Sequence, residues 1–305
     1  MSAKTELFDR LKYLESAVNL PSMIDVGIAL SEHNGVANLL RKGLGIVAFN
    51  ILEDFIKNKT LESLLFISNS TINFSNLTES LQEASILGAL SALVFRAKME
   101  KKDGGDWKTL IQDEAQKIYS TKNATYELSK YSLVSANSNI TADEIAEVLK
   151  AFGINGGWNK LKTVSDAIGG GLPDLCQTYK NAASRRHNAA HTAAFQYNYQ
   201  WLSDIRNEIL AISCSFEILL SARCRQIITD LNKNIADHDI NNALNYRFLE
   251  QSGSEYRETN QVGGRARKKW TSLDDAINHI KPNLNARNEY LIVINNSRRI
   301  DNWYV

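Results

Sequence analysis

The chain holds three prolines, three cysteines and five histidines in 305 residues, and almost no excess charge of either sign. Each shortage excludes something. With so few prolines, few positions force a helix to break. Cys176, Cys214 and Cys224 are odd in number and have no CxxC spacing, which excludes a disulfide framework or a zinc ribbon and fits reduced thiols on buried helix faces. The formal charge of +1, from 35 basic and 34 acidic residues, projects no long-range field toward nucleic acid or membrane, so any polyanion site must be local. No apolar run approaches the roughly eighteen residues of a membrane span, and the opening MSAKTELFDRLKYLES is too charged for a secretory signal. These absences predict a soluble, cytoplasmic chain with no membrane association. What is present, 44% hydrophobic residues, suffices for a sizeable core.

Runs of Ala, Leu, Ile, Glu and Lys at helical spacing predict a mainly α-helical chain over residues 1–235. Leu7, Leu11, Leu14 and Val18 mark one face of a first helix that ends near Pro21. A second runs from about Val36 to Lys57, and its middle, LGIVAFNIL, is apolar on all sides. A third begins near Thr78 and stops at Gly104 and Gly105, after which Asp106 caps the next. Thr141 with Glu144 forms a capping box, Gly153 ends that short helix, and GINGGW and AIGGGLP read as turns. Pro173 suits the first turn of a helix through DLCQTYKNAASRRHNAAH. The longest helix follows, with Ile205, Ile209, Ile212, Phe216, Leu219, Ile227 and Leu231 as one apolar stripe. Beyond NKNIADHD the texture changes: YRFLE and YLIVIN read as short strands, and Ser272 with Asp275 opens a helix ending before Pro282. Residues 242–305 are therefore expected to form a small α+β appendage. No internal repeat or low-complexity tract is present.

Chemistry concentrates in RRHNAAH. His187 and His191 stand at i and i+4, so on a helix they share a face. That spacing also serves metal sites, but the glutamate of HExxH is missing, and only Asp204 and Glu208 on the next helix could reach back as further ligands. Arg185 and Arg186 argue otherwise, because fixed positive charges repel a divalent cation and attract a phosphate. Arginine binds phosphate oxygens through paired hydrogen bonds, and histidine passes a proton near neutrality. Together they suit phosphoryl chemistry on RNA, in which a ribose 2′-hydroxyl attacks the adjacent phosphate and no metal or other cofactor is required.

Arg186, four intervening residues and His191 resemble the R-x4-6-H signature of the HEPN superfamily, and RRHNAAH is similar to its RiboL-PSP and related ribonuclease branches. His187 fills the polar position that often follows the arginine there. More diffusely the resemblance covers residues 1–232, with RKGLGIVAFNILEDFIKNK similar to an early helix that carries acidic residues, here Glu53 and Asp54. The resemblance implies a HEPN-like helical bundle, a homodimer with two motif helices near a twofold axis, and a metal-independent endoribonuclease acting as a toxin, an anti-phage effector or an RNA-processing factor. Its partners would be tRNA or mRNA and an antitoxin or defence-system protein. It implies that His191 moves the proton while Arg186 steadies charge on the phosphorane. His187 and Asn188 would hold the phosphate or orient His191, Arg185 would contact the RNA backbone, and Glu53 would be the acidic partner.

Weaker candidates surround this motif. Tyr197 and Tyr199, within the run FQYNYQW that also holds Phe195 and Trp201, are candidates to stack unpaired bases. Arg265, Arg267, Lys268 and Lys269 are candidates to track a phosphate backbone. His33, His238 and His279 read as structural. Two other readings remain open at this point: a HEPN-like module that binds RNA or protein without cutting, and a metal-dependent hydrolase using His187 and His191.

Overall fold

A computed structural model describes residues 1–27, 29–134, 139–229, 240 and 244–305. The protein is mainly helical, with a small five-stranded sheet near its C-terminal end. Two compact units divide it. The first comprises Met1–Ile56, Leu161–Phe216 and Tyr246–Val305, and the second Lys57–Lys160 and Glu217–Asn245. Apart from residue 240, the expected boundary between residues 235 and 242 lies outside the described residues, as do Leu231 and His238.

In the first unit, α1 (Ala3–Val18) is capped by Ser2, whose side chain accepts from the Thr5 amide, and buries Leu7, Leu11, Leu14 and Val18 as their spacing predicts. Helix α2 (Ser31–Ser68) runs well past the expected end at Lys57. No proline or glycine interrupts residues 57–68, and Thr60, Ser63, Leu64 and Ile67 continue its buried positions. It also corrects the expectation about apolar runs: an 18-residue window of α2 has a mean hydropathy of 1.2, long and apolar enough for a membrane by composition, yet half of it is buried within the protein.

In the second unit, the stretch from Thr78 is three segments: α3 (Glu79–Glu83), a π-helical turn (Ala84–Gly88) and α4 (Ala89–Lys102). Asp106 caps α5 (Trp107–Ser120), and the Thr141–Glu144 capping box opens α6 (Ala142–Ala151). Helix α7 (Gly157–Ala167), which starts in this unit and from Leu161 belongs to the first, was not expected. Trp158, Leu161, Val164 and Ile168 carry its signal at helical spacing, obscured by the glycines before it.

Pro173 lies just before α8 (Leu175–His191) rather than in its first turn, because Asp174 takes the cap. Helix α9 (Tyr199–Thr229) is buried on every face from Ile209 to Leu220, not along one stripe. Within the second unit it places Glu217 against Lys59 at 2.9 Å, and burial pushes the nearby Cys224 thiol up to about 12.

The C-terminal segment returns to the first unit. Strands β1 (Asn245–Ser252), β2 (Glu255–Thr259), β3 (Lys268–Trp270), β4 (Glu289–Ile294) and β5 (Ile300–Tyr304) order as β3-β2-β1-β4-β5. The β1–β2, β2–β3 and β4–β5 pairs are antiparallel. On one face, Leu249, Leu291 and Val293 pack with Ala276 and Ile280 of α10 (Leu273–Ile280) and Leu284 of α11 (Leu284–Arg287). From β5 the fully buried Trp303 meets Phe8 of α1 at 5.4 Å and Phe55 of α2 at 6.3 Å. The module expected as an appendage is thus built into the first unit.

Trp303→Ala should therefore lower the unfolding free energy by about 3–5 kcal/mol in urea titrations; a loss below about 1 kcal/mol would contradict this packing. Thiol labelling at pH 8 should modify the half-buried Cys176 first, leaving the buried Cys214 and Cys224 protected until denaturation.

Candidate active site

Helix α8 consists of two unlike halves. Over its first half Leu175, Tyr179 and Ala182 are buried, and the Tyr179 ring meets Phe49 of α2 at 5.4 Å. From Ala183 to His191 no residue is buried. The motif therefore lies on a stretch with no apolar anchor of its own, and polar ties fix it instead.

The first tie is Arg185. Its Nη2 donates to Glu208 Oε2 of α9 at 2.5 Å, with the two side chains only 11% and 16% exposed. The guanidinium also lies 5.7 Å from the Trp201 ring centroid. Burial pushes the Glu208 carboxyl above the usual carboxylate range, with Arg185 pulling it the other way. Arg185, expected to contact the RNA backbone, is thus held in an ion pair within the chain.

The second tie comes from α2. Lys42 Nζ donates to the carbonyls of Thr192 and Ala193 at 3.1 and 2.8 Å, tying the two residues that follow α8 to α2. Asn38 accepts from the Tyr197 amide at 2.8 Å and donates to the Phe195 carbonyl at 3.2 Å. The buried Arg41 donates through Nε to the Tyr197 carbonyl at 2.7 Å and pairs with Asp25. Asn38, Arg41 and Lys42 were not singled out from the sequence. Their one signal was a polar trio just ahead of the apolar middle of the helix.

Held this way, the motif presents its side chains unequally. The His187 and His191 rings are exposed on one face, 4.8 Å apart and tilted by 50°. Arg186 makes no ion pair or hydrogen bond with another described residue, and its Nε is buried without a partner. It lies about 140° around the helix from His191, so the two side chains diverge within one copy. Asn188 Nδ2 reaches Ser184 at 3.5 Å, at the edge of hydrogen-bond range.

Several expected site residues belong elsewhere. Tyr197 is 1% exposed and is a core anchor, its ring against Gly45, so it cannot stack bases. Tyr199 is half-buried, with its hydroxyl donating to the Val18 carbonyl at 3.4 Å. Of that run, Trp201 is the exposed ring, nearly parallel to Phe195 at 6.3 Å. Glu53 is 3% exposed and one turn beyond Phe49, on the path of α2 toward the start of α8 and away from the motif. Asp54 pairs with Arg10 at 2.5 Å.

The basic run also has a local account. Lys268 and Lys269 lie on the outermost strand β3, where lysines keep an open edge from pairing with another chain. Lys268 lies over Trp270, Lys269 pairs with Glu255, and Arg267 bonds Asn260; Arg265 is exposed. None of these contacts leads to the motif. His33 bonds the Ile24 carbonyl and His279 packs on Trp270, as structural histidines. Among the described residues, no group of three or more His, Cys, Asp and Glu could hold a metal. Glu208, one of the two carboxylates considered for such a role, is taken by Arg185.

The chain is thus mainly helical and presents Arg186 and His191, five residues apart, on the unburied end of one helix. The chain belongs to the RiboL-PSP-HEPN family, whose model matches residues 5–222, from α1 through most of α9. No curated protein and no solved structure matches the chain.

A methyl group added at Gly45 would collide with the Tyr197 ring, whereas one at Gly35 would meet nothing within 4 Å. Both glycines are inside α2. Gly35→Ala should stabilise the protein by about 0.5–1 kcal/mol through helix propensity alone, and Gly45→Ala should destabilise it by about 1–3 kcal/mol. Equal gains in denaturant titrations would contradict the account of Tyr197.

Proposed function

We propose that the protein is a metal-independent endoribonuclease in which a ribose 2′-hydroxyl attacks the adjacent phosphate, leaving a 2′,3′-cyclic phosphate and a 5′-hydroxyl. The observation that carries this reading is the division between the two motif arginines in a HEPN family member: Arg185 is tied up, and Arg186 makes no ion pair or hydrogen bond with another described residue, on the same unburied helix end as two exposed histidines. Arg186 supplies a fixed charge for the non-bridging oxygens of the phosphorane. His191 removes the proton of the 2′-hydroxyl or protonates the leaving 5′-oxygen. His187, on the same face, and Asn188 hold the phosphate or steady His191.

A homodimer follows in the same reading. Because Arg186 and His191 diverge in one copy, a second motif helix across a twofold axis would complete the constellation. An exposed apolar stripe on α2 supports this: Val36, Leu39 and Val47 are 50%, 69% and 45% exposed, at helical spacing opposite the buried side of the helix. The biological setting we propose is cytoplasmic, as a toxin, an anti-phage effector or an RNA-processing factor acting on tRNA or mRNA, with an antitoxin or defence-system protein as partner.

Arg186→Ala and His191→Ala should each reduce the turnover of single-stranded RNA and tRNA by about 10²–10⁴-fold, with thermal stability little changed, because His191 is exposed and Arg186 makes no ion pair or hydrogen bond with another described residue. Full activity in either variant would contradict the assignment. RNA binding by the wild type with no cutting under any condition would replace it with a binding module.

A further inference from the structure

Resting on the ribonuclease reading of the same site, we infer that Glu208 is its positioning residue: by holding Arg185 in a largely buried ion pair, it fixes the motif end of α8 and leaves Arg186 as the cation that meets the scissile phosphate. The sequence offers two adjacent arginines that both satisfy the R-x4-6-H spacing, and nothing in the spacing separates them. The ion pair does. Arg185 is 11% exposed, its Nη2 is 2.5 Å from Glu208 Oε2, and its Nε is shut away from solvent.

Glu208 is well placed to hold its partner still. It lies on α9 between the buried Ile205 and Ile209, so its backbone is anchored by the core. Trp201, about two turns earlier, covers the guanidinium at 5.7 Å and is itself braced edge-on by Tyr197 at 5.9 Å. A carboxylate on a fixed helix thereby reaches across to a helix half that has no buried residue of its own. It also cancels one of two neighbouring charges, so that a phosphate is drawn to a single guanidinium rather than shared between two.

Loss of the carboxylate has a signature that general damage would not give. Freed from Glu208, Arg185 would turn outward and add a phosphate contact, tightening RNA binding while the motif loses its alignment. Turnover and affinity should therefore move in opposite directions.

The test compares Glu208→Gln, Glu208→Asp, Arg185→Ala and the Arg185→Ala/Glu208→Gln double variant in the full chain. It reads kcat on RNA, and the salt-dependent affinity for a single-stranded 2′-deoxy oligonucleotide that cannot be cut. Glu208→Gln should lower kcat at least about tenfold, raise the affinity, and steepen the log–log salt dependence by about one. Glu208→Asp should keep kcat within about threefold of wild type. Arg185→Ala should lower kcat with the affinity unchanged, and the double variant should return the salt dependence to its wild-type value. Parallel losses of kcat and affinity in Glu208→Gln, no change in either, or absence of oligonucleotide binding in all variants would overturn the inference. If Glu208→Gln does not fold, Arg185→Ala decides alone, since a loss of affinity there would place Arg185 on the substrate. Failure of the wild type to cut RNA would remove the ribonuclease reading, while the affinity and salt arms would still decide the role of Glu208.

Discussion

The ion pair between Arg185 and Glu208 carries a load that apolar packing carries elsewhere in the fold. Burial on α8 ends at Ala182, and the motif occupies the remainder of the helix. A helix end with alanines and polar residues and no buried contact frays, since its last carbonyls have no partners within the helix. Exposed ion pairs contribute less than about 1 kcal/mol, whereas breaking a buried one by removing a single partner costs about 3–5 kcal/mol. With side chains 11% and 16% exposed, this pair lies near the buried limit, which is why it can fix geometry rather than merely decorate a surface. Lys42, bonding the carbonyls of Thr192 and Ala193, closes the same helix end from the other side.

The rest of the first unit supports those two ties. Arg41 and Asn38 clamp the segment around Tyr197, and Gly45 leaves room for its ring. Trp201 emerges from this clamp to cover Arg185. The sheet adds rigidity through Trp303, which locks β5 against α1 and α2. Function in this account sits on the least buried stretch of α8, and the surrounding core exists to hold that stretch in one orientation.

Much of this organisation was legible in the sequence. Periodic apolar residues and capping signals gave α1, α6 and α10 almost to the residue, because those signals are local. Helix α7 was missed because the glycines before Trp158 look like a turn, and one of them opens the helix. The C-terminal module could not be read as part of the first unit, since the contacts of Trp303 with Phe8 and Phe55 join positions hundreds of residues apart. At the site, RRHNAAH stood out by composition, but the separate roles proposed for Arg185 and Arg186 depend on a carboxylate on another helix. Tyr197 failed as a base-stacking candidate for a related reason: alternation of aromatic and polar residues does not say which rings face the core.

The measurement that most directly tests the central claim is the chemistry of the cut ends. Purified wild-type protein would be incubated with tRNA and single-stranded RNA in excess EDTA, and the new termini analysed. The account predicts cleavage with 2′,3′-cyclic phosphate and 5′-hydroxyl ends. Cleavage that appears only after a divalent metal is added, or that leaves 5′-phosphate ends, would contradict it.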